Sequence, residues 1–105
     1  MTQPTNCRIA WFNGKFMPEN QVLISFRDRS WRYGDGVFDM TRTFNGLAFR
    51  LKDHIDRLYR SLRYLRLDPG MSPQEMIDAS EQIVARNEHL RGTAEIQFSN
   101  KLHRA

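Results

Sequence analysis

Tyr33-Gly34-Asp35-Gly36-Val37-Phe38-Asp39-Met40-Thr41-Arg42-Thr43-Phe44-Asn45-Gly46-Leu47-Ala48-Phe49 runs from a glycine-flanked acid, through an alternating stretch, into an Asn-Gly pair. Two glycines around one acid allow positive φ and close backbone approach, so Gly34-Asp35-Gly36 predicts a tight turn opening a strand. Alternation then puts Phe38, Met40, Arg42 and Phe44 on one face and Val37, Asp39, Thr41 and Thr43 on the other. Asn45-Gly46 predicts a hairpin turn with Leu47-Ala48-Phe49 returning. Arg42 interrupts an otherwise apolar face. It fits a rim position from which a long side chain reaches water, or a charge facing an anionic group in a ligand cavity.

Upstream, Arg8 to Phe16 predicts another hairpin about Asn13-Gly14, with Pro18 ending it. Val22 to Phe26 has the β-branched, apolar content of a short strand, and Arg27-Asp28-Arg29-Ser30 is a polar loop. Downstream, Lys52 to Arg66 is the clearest helix, because Leu51, Ile55, Leu58, Leu62 and Leu65 form one apolar stripe. Asp53 with Arg57 and Asp56 with Arg60 stand four apart as expected ion pairs. Asp56, Arg60 and Arg63 fall opposite the stripe, on a solvated face. His54, Arg57 and Ser61 line one flank of it, from which side chains reach a cleft.

Pro69-Gly70 breaks the chain. Ser72-Pro73-Gln74-Glu75 is a capping box opening a second helix, whose inner face carries Met76, Ile77, Ala79, Ser80, Ile83, Val84 and Asn87. Gly92 is the expected terminator, Thr93 to Phe98 an expected strand, and Ser99 to Ala105 a polar tail. These elements predict an α+β fold, a small two-layer domain with an antiparallel sheet built from hairpins and two helices packed on it.

The 105 residues bound one small domain or part of a larger protein. Forty per cent apolar content supports a core. The net charge of +4 is carried by 13 Arg against 3 Lys, and Arg suits fixed phosphate and carboxylate contacts. A single cysteine, Cys7, excludes a disulfide framework and a Cys-rich metal site, and fits a reducing cytoplasm. No apolar run has the length of a membrane span. A nucleic-acid binder is disfavoured, since no RNP-like motif is present and Asp53 and Asp56 offset the helix arginines. A standalone anion-binding module using the turn and the Arg57 flank is the other reading the residues leave open.

Three motifs in order, Ile9-Ala10-Trp11-Phe12-Asn13-Gly14-Lys15-Phe16, Tyr33-Gly34-Asp35-Gly36-Val37-Phe38-Asp39 and Phe49-Arg50-Leu51-Lys52-Asp53-His54-Ile55-Asp56-Arg57-Leu58, resemble the N-terminal domain of the fold type IV pyridoxal-phosphate enzymes. That family holds branched-chain and D-amino-acid aminotransferases, (R)-selective amine transaminases and aminodeoxychorismate lyases. The resemblance runs from about Arg8 to Asn87. It implies the cofactor pyridoxal 5'-phosphate, amino acid and 2-oxo acid substrates, and a homodimer. Arg57 matches the arginine that binds the cofactor phosphate, Tyr33 and Phe38 match the pocket wall, and Arg42 lies on the same wall. His54 matches a supporting histidine. Asp39 stands where Glu is common in the branched-chain group, which leaves the substrate branch open.

None of Lys15, Lys52 and Lys101 matches the family's catalytic lysine, which the resemblance places in a larger C-terminal domain. The expectation is therefore residues 1–91 as the small domain and 92–105 as a divergent tail, with no catalytic residue of its own and no transamination by this chain alone.

Overall fold

Two Asn-Gly pairs shape both hairpins of the computed structural model, which describes residues 8–29, 33–90 and 97–103. Strand β1 (Ile9–Phe12) pairs antiparallel with β2 (Lys15–Pro18), Trp11 opposite Phe16. At the turn Asn13 has φ 49° and Gly14 φ 89°, the doubly left-handed geometry whose twist matches the flanking strands. Asn45 and Gly46 repeat it, at 53° and 78°, between β3 (Gly36–Phe44) and β4 (Leu47–Ala48).

Strand β5 (Gln97–His103) lies antiparallel on the other side of β3, from Gly36 opposite His103 to Arg42 opposite Gln97, giving the order β4-β3-β5. This corrects the expected polar tail: residues 99–103 are strand. Their polarity is compatible with it, because the pairing uses backbone groups and one sheet face is open. Gly92, Thr93, Ala94 and Ile96 lie outside the described residues. Val22 to Phe26, expected as a strand, has no ladder, and Leu23 and Phe26 are exposed. β-prone composition makes a strand only where an edge is available to pair with.

Helix α1 (Leu51–Leu65) buries Leu51, Ile55, Leu58 and Leu62 as the stripe predicts, and Tyr59 in addition. Tyr59 can enter the core because its hydroxyl donates to the Met71 carbonyl at 2.8 Å. Helix α2 (Pro73–Arg86) starts at the expected capping box: the Glu75 amide donates to Ser72 Oγ at 3.1 Å, and the Ser72 amide to the Glu75 carboxylate at 3.0 Å. It closes on Asn87, whose side chain donates to the Ile9 carbonyl and accepts from the Ile9 amide, tying the N-terminal hairpin to the helix end.

The core is the cluster of Leu51, Ile55, Leu58, Tyr59, Leu62 and Met76, with Val37, Ala48, Phe98 and Leu102 against it. The helices cover the β3 face bearing Asp39, Thr41 and Thr43, all buried. The more apolar face, with Phe38, Met40 and Phe44, is open, Phe38 being 69% exposed. Among the described residues no helix is long and apolar enough to cross a membrane.

Candidate functional site

Asp39 sits on the helix-covered face of β3 with its side chain 4% exposed, and a carboxylate that deeply placed requires partners. Helix α1 supplies two from one flank. Arg57 Nε donates to Oδ2 at 2.7 Å and Nη2 to Oδ1 at 2.9 Å, a bidentate pair. His54 Nδ1, one turn earlier, lies 2.7 Å from Oδ1.

The Arg57 hydrogen bonds hold the Asp39 carboxyl below the usual carboxylate range; burial opposes this and His54 adds to it. Asp39 is therefore ionised at neutral pH and only accepts, so Nδ1 of His54 carries the proton of that contact. In turn Asp39 raises the Arg57 guanidinium further above its ordinary value.

The clamp uses one edge of the guanidinium. Arg57 is 61% exposed, and Nη1 has no partner among the described residues. Beside it opens a groove of about 420 Å³ lined by Val37, Arg57, Arg60, Ser61, Tyr64 and Leu65. Among the described residues the lining offers two guanidinium groups and two hydroxyls and no carboxylate, a donor set that fits a phosphate monoester. No lysine lines it, so the groove suits the phosphate end of pyridoxal 5'-phosphate and not its aldehyde end.

The expected ion pairs of α1 are replaced. Arg57 takes the buried Asp39 instead of Asp53, and Asp53 pairs with Arg50 at 3.2 Å. Asp56 pairs with Lys52 at 2.9 Å, leaving Arg60 to the groove wall instead of a purely solvated face. A fixed carboxylate on a strand offers bidentate geometry that a mobile side chain one turn away does not.

The remaining predicted residues lie elsewhere. Phe38 and Arg42 stand on the open face of β3, opposite in direction to Asp39. The Arg42 guanidinium carbon is 5.3 Å from the Phe44 ring centre, and Phe44 meets Phe49 edge to face at 5.1 Å. Tyr33 is exposed at the turn, with Arg29 5.1 Å from its ring; Arg29 Nε also reaches Asp35 Oδ2 at 3.0 Å, holding the Gly-Asp-Gly loop. The structure thus joins Arg57 and His54, and separates them by the strand from the Phe38 and Arg42 face.

Two placements escaped sequence reasoning. Asp39 is the acceptor for Arg57, and the only signal was an acid on a strand preceding a helix flank rich in donors. Lys101, expected in the tail, lies opposite Phe38 across the β3–β5 ladder.

Comparison with known proteins follows the same outline. The family described as Amino-transferase class IV matches residues 36–103, through β5 and past Asn87. A putative branched-chain-amino-acid aminotransferase of Methanocaldococcus jannaschii is 46% identical over 68 residues, 65% of this chain and 24% of that protein. A D-alanine aminotransferase of Bacillus licheniformis is 33% identical over 88 residues, 84% of this chain and 31% of that protein. The T.th. branched-chain amino acid aminotransferase, solved with pyridoxamine 5'-phosphate, superposes with a TM-score of 0.74 at 31% identity, covering 78% of this chain and 28% of that one. The chain spans about a quarter to a third of the length of these proteins.

Proposed function

The chain belongs to the class IV amino-transferases, and on that premise we propose that it forms the small domain of a pyridoxal-phosphate aminotransferase that moves an amino group between an amino acid and a 2-oxo acid. The observation that carries this reading is Arg57, held by Asp39 through two hydrogen bonds and lining a groove together with Arg60, Ser61 and Tyr64. Arg57 anchors the cofactor phosphate, and Ser61 and Arg60 add donors along the groove. Phe38 and Arg42 on the open face of β3, with Tyr33 at the turn that precedes the strand, are assigned to the substrate wall, so the reactive end of the cofactor must lie beyond the groove. When bound, pyridoxal 5'-phosphate supplies the electron sink for amino transfer. The chain's own residues bind and orient its phosphate end.

The amine that must hold the cofactor is assigned to a part of the protein outside these residues. Lys52 is paired with Asp56, and neither Lys15 nor Lys101 lines the groove. We place the substrate on the branched-chain side, a reading supported by the 46% identity to the archaeal relative. The working form is a cytoplasmic homodimer; the lone cysteine agrees with a reducing compartment.

Titration of the isotope-labelled chain with pyridoxal 5'-phosphate and with phosphate-free pyridoxal tests the reading. Weak binding of the phosphorylated form alone, lost in Arg57→Ala, supports it. Equal binding of both aldehydes, or binding indifferent to Arg57→Ala, overturns it.

A further inference from the structure

We propose that Asp39 and His54 are positioning residues for a phosphate monoester: the buried carboxylate fixes which edge of the Arg57 guanidinium faces the groove, and His54 braces that carboxylate. This rests on the phosphate-anchor reading of Arg57 and goes beyond it by assigning work to two residues that do not line the groove. Three observations converge. Asp39 is rooted on the central strand and its side chain is almost fully buried, so its oxygens are fixed relative to the sheet. Both oxygens are engaged by Arg57, which sets the guanidinium plane as well as its position. His54 donates from Nδ1 to the oxygen that also receives Nη2, resisting rotation of the carboxylate about its own bond.

The contribution is geometric and opposes plain electrostatics. An ionised Asp39 beside Arg57 repels an arriving phosphate, so removing its charge alone tightens binding. Holding a long, flexible side chain in one orientation acts the other way, because ordering is completed before the ligand arrives. The sign of the effect therefore separates the two roles. Arg60 has no ion pair among the described residues, and supplies the unneutralised positive charge that a dianion needs at this groove.

The test uses the labelled chain titrated with inorganic phosphate and followed by NMR, in the wild type, Asp39→Asn and Arg57→Ala, with thermal melts confirming that each is folded. The proposal expects Asp39→Asn, which leaves one acceptor where the bidentate pair needs two, to weaken phosphate binding by roughly tenfold, the scale of partners that orient a binding group, and to speed exchange of the Arg57 Nε–H. Phosphate binding as tight as wild type, or tighter, in a folded Asp39→Asn overturns it. Binding unchanged in Arg57→Ala overturns the anchor reading itself, whereas loss in Arg57→Ala with none in Asp39→Asn overturns the positioning role alone. Should Asp39→Asn fail to fold, the wild-type spectra decide. A protected Arg57 Nε–H with His54 as the Nδ1–H tautomer supports the proposal; a freely exchanging Nε–H or the Nε2–H tautomer contradicts it.

Discussion

Arg57 and Asp39, 18 residues apart in the chain, meet through two hydrogen bonds of 2.7 and 2.9 Å that tie helix α1 to the central strand. Because the partners depress the Asp39 pKa below its ordinary 3.8, the ionised form is favoured in the folded protein. The stability this provides is complete above the unfolded value and is lost as pH falls through the lower folded value. The melting temperature of the wild type should therefore fall more steeply below pH 3.8 than that of Asp39→Asn, so that the gap between them narrows on acidification. Thermal melts from neutral pH down to about pH 2.5 check this; a gap that widens contradicts it.

Ile55 is fully buried at the centre of the α1 stripe. Ile55→Ala leaves a cavity among Leu51, Leu58 and Leu62 and should cost about 2–5 kcal/mol, measured as a drop in the urea midpoint. In so small a domain this is a large share of the total stability, so a midpoint within error of wild type would show that the core lies elsewhere.

The capping box at Ser72 is a local device and should behave as one. Ser72→Ala removes the acceptor for the Glu75 amide and should cost about 1 kcal/mol, whereas Ser72→Asp keeps an acceptor and should largely retain stability. Denaturant curves for the pair separate loss of the cap from loss of helix propensity.

The open face of β3, with Phe38, Met40 and Phe44, predicts concentration-dependent association of the isolated chain. A Phe38→Ser, Met40→Lys double variant should sediment closer to a monomer and bind less of a hydrophobic dye, with its melting temperature little changed because neither side chain is buried. Equal association in wild type and variant would place the contact on another surface.

What could be read from the chain follows the range of the interaction. Both Asn-Gly hairpins, the α1 stripe and the Ser72 cap depend on neighbours within a few residues, and each appears where the residues put it. Most of strand β5 was not legible, because its polar residues become a strand only by pairing with β3, far earlier in the chain, and local patterns do not report such a pairing. The two faces of β3 were sorted correctly, but alternation does not say which face meets the helices. Here the threonines and Asp39 turn inward, because Arg57 and His54 satisfy the acid there. The same long-range pairing took Arg57 from Asp53, the partner that helical spacing offered. The helical wheel put Arg57 on a cleft-facing flank and the family motif gave it a role, whereas its acceptor was legible only through the fold.

The measurement that tests the central claim most directly is the map of amide and side-chain shifts when pyridoxal 5'-phosphate is titrated into the labelled chain. The account predicts that the largest changes fall on Arg57, Arg60 and Ser61 around the groove, and that they vanish in Arg57→Ala. Changes centred on the lysines, with the groove unmoved, would contradict it.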